Sequence, residues 1–189
     1  MMRTLRNLAL SLACLAFTAP AGATGGDPTA VLQDGIDRLT SFVRGGGAQN
    51  REAAMRFLDQ EIAPSFDFEY MADWALGPMG RQMPPEAVSS VVQVIEGHLL
   101  STLAQALVGY RDAQVRLSEP RLRGDKESVV RAWIIRPNAI PMSVDFRFYR
   151  GDSGWKIFDV VASGTSALVY YRGMLRRQMR MSQQTYGYR

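Results

Sequence analysis

Side chains that could perform catalysis are few in this chain. His98 is the only histidine among 189 residues, and no serine or cysteine nucleophile is paired with it by spacing. Asp67, Glu69 and Asp73 could bind a cation or form an acid/base pair. Acidic residues at this spacing also cap short helices and keep their outer faces solvated. We therefore expect His98 on a helix surface, the carboxylates in a capping role, and no enzymatic activity.

Cofactor and metal chemistry is equally sparse. The single cysteine, Cys14, excludes a disulfide within the chain, and one cysteine with one histidine cannot form a conventional structural zinc site. Gly45-Gly46-Gly47 lacks the flanking strand and the Lys-Ser/Thr pair of a phosphate-binding loop. We expect no metal and no cofactor.

The N-terminus has the three parts of an export signal. Arg3 and Arg6 form a positive region, residues 8–17 are apolar, and residues 21–23 (Ala-Gly-Ala) have the small-x-small pattern of a signal-peptidase site. The apolar run is too short to span a bilayer. We predict a signal peptide over residues 1–23, cleaved near Ala23, and no transmembrane helix.

The exported chain would then be a single domain, residues 24–189, in the periplasm. It would contain no cysteine, and losing the two basic residues of the signal lowers the net charge from +4 to +2. So small a charge does not indicate a nucleic-acid partner. An alternative is lipoprotein processing at Cys14.

Helices dominate the first part of the domain. Apolar residues recur at helical spacing, and Asp27, Asn50 and several prolines and glycines supply start and stop signals. The longest segment, from Pro85 to about Tyr110, carries one continuous apolar stripe. The predicted helices cover residues 28–44, 51–63, 66–76, 85–110 and 166–181.

A period of two replaces the helical period after residue 112. Met142, Val144, Phe146 and Phe148 alternate with polar or aromatic neighbours, the clearest strand pattern in the chain. Strands are predicted at residues 113–119, 128–136, 142–149 and 155–161. The fold class is therefore α+β, with helices on one face of a four-stranded antiparallel sheet. We expect Leu99, Leu103, Leu107 and Tyr110 to pack opposite the apolar residues of the third predicted strand.

The last helix is basic. No acidic residue follows Asp159, whereas this helix carries Arg172, Arg176, Arg177 and Arg180. Such a face is either simply solvated or docks reversibly on an anionic lipid surface or an acidic partner, at about 1 kcal/mol per arginine near an anionic membrane.

Several motifs, in order, carry a family resemblance. They are residues 62–71 (IAPSFDFEYM), 75–77 (ALG), 110–112 (YRD), 123–125 (RGD), 135–137 (IRP), 144–147 (VDFR) and 155–161 (WKIFDVV). Together they resemble the MlaC, or toluene-tolerance auxiliary, family of periplasmic phospholipid-binding proteins, from about residue 28 to residue 180. Hopanoid-associated proteins look like a branch of the same family.

The resemblance implies a nuclear-transport-factor-like fold whose curved sheet and helices enclose an apolar pocket. Such a protein would bind phospholipid acyl chains and shuttle the lipid between an outer-membrane lipoprotein complex and an inner-membrane ABC transporter. It would be a monomer and would contact these partners transiently. Where the family commonly has Glu-Gly-Val-Ser, this chain has Ser163-Gly164-Thr165-Ser166.

Two sets of site residues follow from this resemblance and from the apolar patterns. The expected lipid-binding residues are Met71, Trp74, Leu99, Leu103, Leu107, Tyr110, Met142, Val144, Phe146, Phe148, Thr165 and Leu168. The expected docking residues are Arg172, Arg176, Arg177 and Arg180. Two alternatives stay open: a non-catalytic envelope adaptor whose core is filled, and a carrier of a hopanoid-type lipid.

Overall fold

The computed structural model describes the backbone of residues 27–186 and the side chains of residues 27–181. The predicted signal peptide lies outside this range. The described elements are α1 (Pro28–Arg44), α2 (Arg51–Phe57), α3 (Phe68–Leu76), α4 (Pro85–Leu107), β1 (Gln114–Leu117), β2 (Arg121–Arg123), β3 (Glu127–Ile135), β4 (Met142–Gly151), β5 (Gly154–Ala162), β6 (Thr165–Ser166) and α5 (Ala167–Tyr186). The α+β class is confirmed.

Side-chain caps begin α1, α2 and α3. Asp27 accepts a hydrogen bond from the Thr29 amide at 3.1 Å, and Asn50 accepts one from the Ala53 amide at 3.0 Å. Asp67 caps α3 in the same way, by accepting the Tyr70 amide. A cap of this kind satisfies an amide that has no partner inside the helix. The sequence-derived helix starts agree with these positions to within a residue or two.

The helical path of α2 continues beyond Phe57. A π-helical turn covers Leu58–Ile62 and a 3₁₀ turn covers Ala63–Ser65. Pro64 therefore lies inside this second turn, where the sequence predicted the end of a helix. Phe66 then forms an isolated parallel bridge to Ile157. The chain thus passes from the helices directly onto the sheet.

The sheet has the order β1-β3-β4-β5-β6, and β2 also pairs with β3. All of these strand pairs are antiparallel. The four predicted strands are present, and the short strands β2 and β6 extend the sheet to six. Ser163 and Gly164 make the tight turn into β6 with φ of 51° and 78°, as a two-residue hairpin with both central residues left-handed requires.

A β-bulge interrupts the pairing of β4 with β5. Arg147 lies opposite Asp159, but the next residue, Phe148, lies opposite Ile157, so Phe158 is the extra residue. A bulge of this type turns two consecutive side chains toward one side of the strand. Phe158 joins the core between the helices, and Asp159 is completely buried (0% exposed).

Two apolar clusters make up the core of the described residues. The helical cluster combines residues of all five described helices, including Val43 of α1, with Phe158. The sheet cluster combines Leu32 of α1 with Val130, Phe148, Trp155 and Ile157 of the sheet. The expected packing of α4 against the apolar row of β4 is therefore wrong: α1 covers that row at Phe148, whereas α4 packs mainly against α3 and α2.

Candidate functional site

One face of the sheet carries the apolar row of β4, and we call it the apolar face. The strand register aligns Val144 with Ala132 of β3 and with Ala162 of β5. Ala162 in turn pairs with Thr165 of β6. Residues paired across neighbouring strands point to the same side of a sheet, so Thr165 lies at the edge of the apolar face, two strands from Val144.

The apolar face is covered unevenly. Phe148 has no exposed surface, and the other members of the sheet cluster surround it. Phe146 packs against the same cluster but is only half-buried, and Met142 at the far end of the row is half-buried too. Thr165 is exposed. The end of the face near Phe148 is therefore filled. At the other end, which we call the open end, Met142, Phe146 and Thr165 keep exposed surface, and Val144 between the first two is buried (7% exposed).

Most of the expected lipid-binding residues on the helices lie in the other cluster. Three of them are buried among neighbouring helices: Met71 (0% exposed), Leu107 (2%) and Leu168 (2%). Trp74, Leu99 and Leu103 are half-buried against the same cluster. Tyr110 lies beyond α4 under the guanidinium of Arg136, whose Cζ is 5.0 Å from the ring centre. The structure thus divides the expected residues into two groups and does not bring them into one pocket.

Helix α4 leaves much of its apolar surface uncovered. By length and composition alone, Pro85–Tyr110 is the one segment in the described part of the chain that could cross a membrane, and 22% of its apolar stretch is buried. The core helix of a soluble protein passes the same test, so this is weak evidence for a span. Half-buried side chains such as Leu99 and Leu103 provide apolar surface beside the helical cluster.

Two surface crevices accompany these clusters. One, of about 410 Å³, lies between α1 and the helical path of α2. Its wall includes Arg38, whose guanidinium already donates to Glu61 at 3.0 Å and to Asp34. The other, of about 400 Å³, lies between α5 and the segment that follows α3. Each is near the lower end of the volumes that hold a small organic ligand.

The second crevice brings together part of the basic helix, and we call it the α5 cleft. It is lined by Leu76, Pro78, Met79, Arg176, Met179 and Arg180. Arg177 is exposed but does not line the cleft. Two of the four expected docking arginines therefore share one site.

Arg172 has a structural contact instead of a free guanidinium. Its Cζ lies 3.5 Å from the ring centre of Trp74, and its Nη2 donates to the Trp74 carbonyl at 2.6 Å. That carbonyl belongs to the last turn of α3, where carbonyl groups lack partners within the helix. Arg172 thus ties α5 to α3, and its expected role in docking stays a prediction.

The groups with potential catalytic chemistry have structural contacts. His98 is exposed on α4; its Nδ1 lies 3.2 Å from the hydroxyl of Tyr171 and its Nε2 lies 3.5 Å from that of Tyr170. Burial raises the pKa of the Tyr171 phenol, so this hydroxyl stays protonated. No group of three or more potential metal ligands occurs in the described part of the chain.

The capping role expected for Asp67 is confirmed. Its Oδ1 accepts the Tyr70 amide of α3 at 2.8 Å, and its Oδ2 accepts the hydroxyl of Tyr149 on β4. The second bond raises the pKa of Tyr149 to about 12. Glu69 and Asp73 are exposed. Asp67 therefore links a helix start to the sheet.

Asp159 is the important polar residue that the sequence patterns did not single out. Its carboxylate accepts the Ser166 hydroxyl at 3.0 and 2.8 Å, the Leu168 amide at 3.1 Å and Arg147 Nη1 at 3.2 Å. The Leu168 amide belongs to the first turn of α5, so Asp159 caps that helix from the neighbouring strand. This role depends on the bulge in β5, and the alternation of apolar and polar residues in the sequence does not show where a bulge occurs.

Comparison with protein families gives a clear result. The family described as MlaC protein matches residues 33–185, nearly the whole described chain. The chain belongs to the MlaC family. The resemblance inferred from its motifs is thereby confirmed.

A solved structure supports the same fold. It is the phospholipid-binding protein from Ralstonia solanacearum in complex with a phospholipid, with a TM-score of 0.73 and 26% sequence identity. The match covers 84% of this chain and 90% of that one. No curated protein matches the chain.

Proposed function

We propose that this MlaC-family chain is a carrier that binds the acyl chains of a phospholipid. The observation that carries the proposal is the phospholipid complex of the similar protein from Ralstonia solanacearum, which matches 84% of this chain. Membership of the MlaC family supports it. The structural roles found for His98 and Asp67 agree with a carrier that performs no chemistry on its ligand.

In this proposal the acyl chains lie on the open end of the apolar face. Met142 and Phe146 are half-buried there, Val144 lies between them, and Thr165 borders the edge. Burying an acyl methylene contributes about 0.8 kcal/mol, so shape and apolar surface suffice for tight binding. Met71, Leu107 and Leu168 hold the helices together, and their effect on lipid binding is indirect.

The cellular setting is the finer part of the proposal. The chain would be exported by its N-terminal signal, work in the periplasm as a monomer, and pass lipid between an outer-membrane lipoprotein complex and an inner-membrane ABC transporter. The signal-like pattern of residues 1–23 and the family support this setting. A hopanoid-type lipid is the alternative cargo.

Native mass spectrometry of the protein exported to the periplasm, followed by organic extraction, tests the proposal. We expect a copurifying lipid, and the extract identifies it as a phospholipid or a hopanoid. Uptake of labelled phospholipid from vesicles provides an independent measurement. The proposal is wrong if no lipid copurifies and none is taken up.

A substitution on the apolar face sharpens this test. Val144→Asp places a charge among the expected acyl contacts and should abolish lipid retention. Because Val144 is buried (7% exposed), Met142→Asp at the half-buried end serves as a second variant that perturbs folding less. Leu122→Asp on β2 is the matched control, since Leu122 is 66% exposed. Circular dichroism and urea denaturation show whether each variant is folded.

The filled clusters favour a second candidate, an envelope adaptor that binds no lipid. Phe148 and its neighbours fill one end of the apolar face, and Met71, Leu107 and Leu168 are buried among the helices. An adaptor would contain no lipid after export, and Met142→Asp would leave its partner binding unchanged. Extracted lipid that disappears in Met142→Asp but persists in Leu122→Asp would contradict this candidate.

A further inference from the structure

The α5 cleft combines charge with an apolar floor. Arg176 and Arg180 are four residues apart, so they project from the same side of α5. Met179, between them in sequence, packs against the helical cluster, and Met79 across the cleft is 39% exposed. No carboxylate lines this cleft. The site therefore presents two cations above an apolar surface.

The two guanidinium groups have no acidic partner in the described part of the chain. Other arginines do have one: Arg131 binds Asp145 at 2.5 Å, and Arg147 binds Asp159 at 3.2 Å. Like charges at a four-residue spacing repel each other and weaken an isolated helix. An anion bound between Arg176 and Arg180 would remove that repulsion, and guanidinium groups suit phosphate through paired hydrogen bonds.

Apolar side chains extend the same side of α5. Val169 precedes Arg176 by seven residues, which places both on one stripe of the helix, and it is 61% exposed. A basic stripe with exposed apolar residues is typical of helices that lie at a membrane surface. A soluble acidic polypeptide would pair with the arginines but would not use Met79 or Val169.

We propose that the α5 cleft is a docking site for the phosphate headgroups of an anionic phospholipid bilayer. The two arginines bind a headgroup phosphate, and Met79 and Val169 contact the glycerol and upper acyl region. This site is on the helix surface and is separate from the apolar face of the sheet. It would place the protein reversibly on a membrane, and it does not depend on whether the chain carries lipid.

Vesicle flotation of the full exported protein tests the proposal. Vesicles of phosphatidylcholine, with and without phosphatidylglycerol at roughly three in ten lipids, provide the anionic surface and its control. Arg176→Ala/Arg180→Ala removes the two cleft charges. Arg116→Ala/Arg123→Ala is the matched control, since it removes two exposed arginines of β1 and β2 that form no ion pair in the described chain.

We expect binding to the anionic vesicles that weakens about 30-fold in the cleft variant, because each arginine contributes about 1 kcal/mol near an anionic membrane. The control variant should weaken binding far less, and about 500 mM salt should suppress binding by screening. Lipid extracted from the cleft variant should match that from the unmodified protein, so a failed docking site leaves the carrier function standing.

Three results would overturn the proposal. One is that the unmodified protein does not bind anionic vesicles at low salt. Another is that both double variants lose binding equally, which would make the effect one of net charge alone. The last is binding to poly-glutamate but not to anionic vesicles, which would assign the cleft to an acidic polypeptide instead.

Discussion

Substitutions of two phenylalanines on β4 distinguish a role in core packing from a role in lipid binding. Phe146 and Phe148 share the apolar face of β4, but Phe148 has no exposed surface and Phe146 is half-buried. Truncating a fully buried phenylalanine costs about 3–5 kcal/mol. We therefore expect Phe148→Ala to lower the free energy of unfolding by that amount, and Phe146→Ala by about half as much because less of its ring is buried.

The effects on lipid affinity should have the opposite order, with the larger effect for Phe146→Ala. Phe146 borders the open end of the apolar face, where the acyl chains are proposed to lie. Losing contact with two or three methylenes would weaken lipid binding by about 2 kcal/mol, or roughly 30-fold. Phe148 is enclosed by Leu32 and its neighbours in the sheet cluster, so the affinity of Phe148→Ala for lipid should be unchanged.

Urea denaturation of protein refolded without lipid measures the stability of both variants. Uptake of a fluorescent phospholipid measures their affinity. Removing the lipid matters because a bound ligand stabilises the folded state by mass action. The reasoning is refuted if Phe146→Ala costs as much stability as Phe148→Ala and leaves lipid uptake unchanged, since Phe146 would then belong to a filled core.

Three further changes test the polar contacts. Asp159→Asn should cost about 2–3 kcal/mol in urea denaturation, because charge-assisted bonds to a buried carboxylate are lost; a loss below about 0.5 kcal/mol would contradict its capping role. Tyr149→Phe should lower the free energy of unfolding by about 1 kcal/mol at pH 7, because it removes the hydrogen bond to Asp67. The phenol is only half-buried, so solvent screening keeps this effect small. The difference in unfolding free energy between the unmodified protein and this variant should then disappear between pH 10 and 12, because Asp67 favours the neutral phenol and raises the folded pKa of Tyr149 to about 12. A constant difference across that pH range would be inconsistent with the Asp67 bond. Arg172→Lys should lower the free energy of unfolding by about 1–2 kcal/mol although it keeps the charge, because lysine cannot both stack on the Trp74 ring and donate to the Trp74 carbonyl as arginine does. Unchanged stability of the lysine variant would refute that contact.

Local patterns predicted the elements of this fold well. Asp27 and Asn50 were recognisable caps because a short polar side chain before an apolar periodic segment satisfies the first helical amides. The alternation around Phe146 indicated a strand because successive side chains of a strand point to opposite faces. The short strands β2 and β6 escaped prediction, since two or three residues are too few for a period.

The candidate site could be predicted only in part. The row from Met142 to Phe148 does lie on one face, and the register adds Thr165 to its edge. The opposite wall was predicted wrongly, because an apolar stripe on a helix shows which side is buried but not which partner buries it. Arg172 shows the same limit: its charge is evident from sequence, and its contact with Trp74 depends on two helices meeting.

The sequence by itself determined the fold class, the family motifs and the scarcity of catalytic groups, because these depend on residue type and short spacing. Only the tertiary structure decided that α1 covers Phe148 and that the bulge in β5 turns Asp159 toward α5. It also decided that Arg176 and Arg180 share a cleft with Met79. These contacts join residues of different elements. Their geometry depends on how the elements pack against each other, and local sequence periodicity does not indicate that packing.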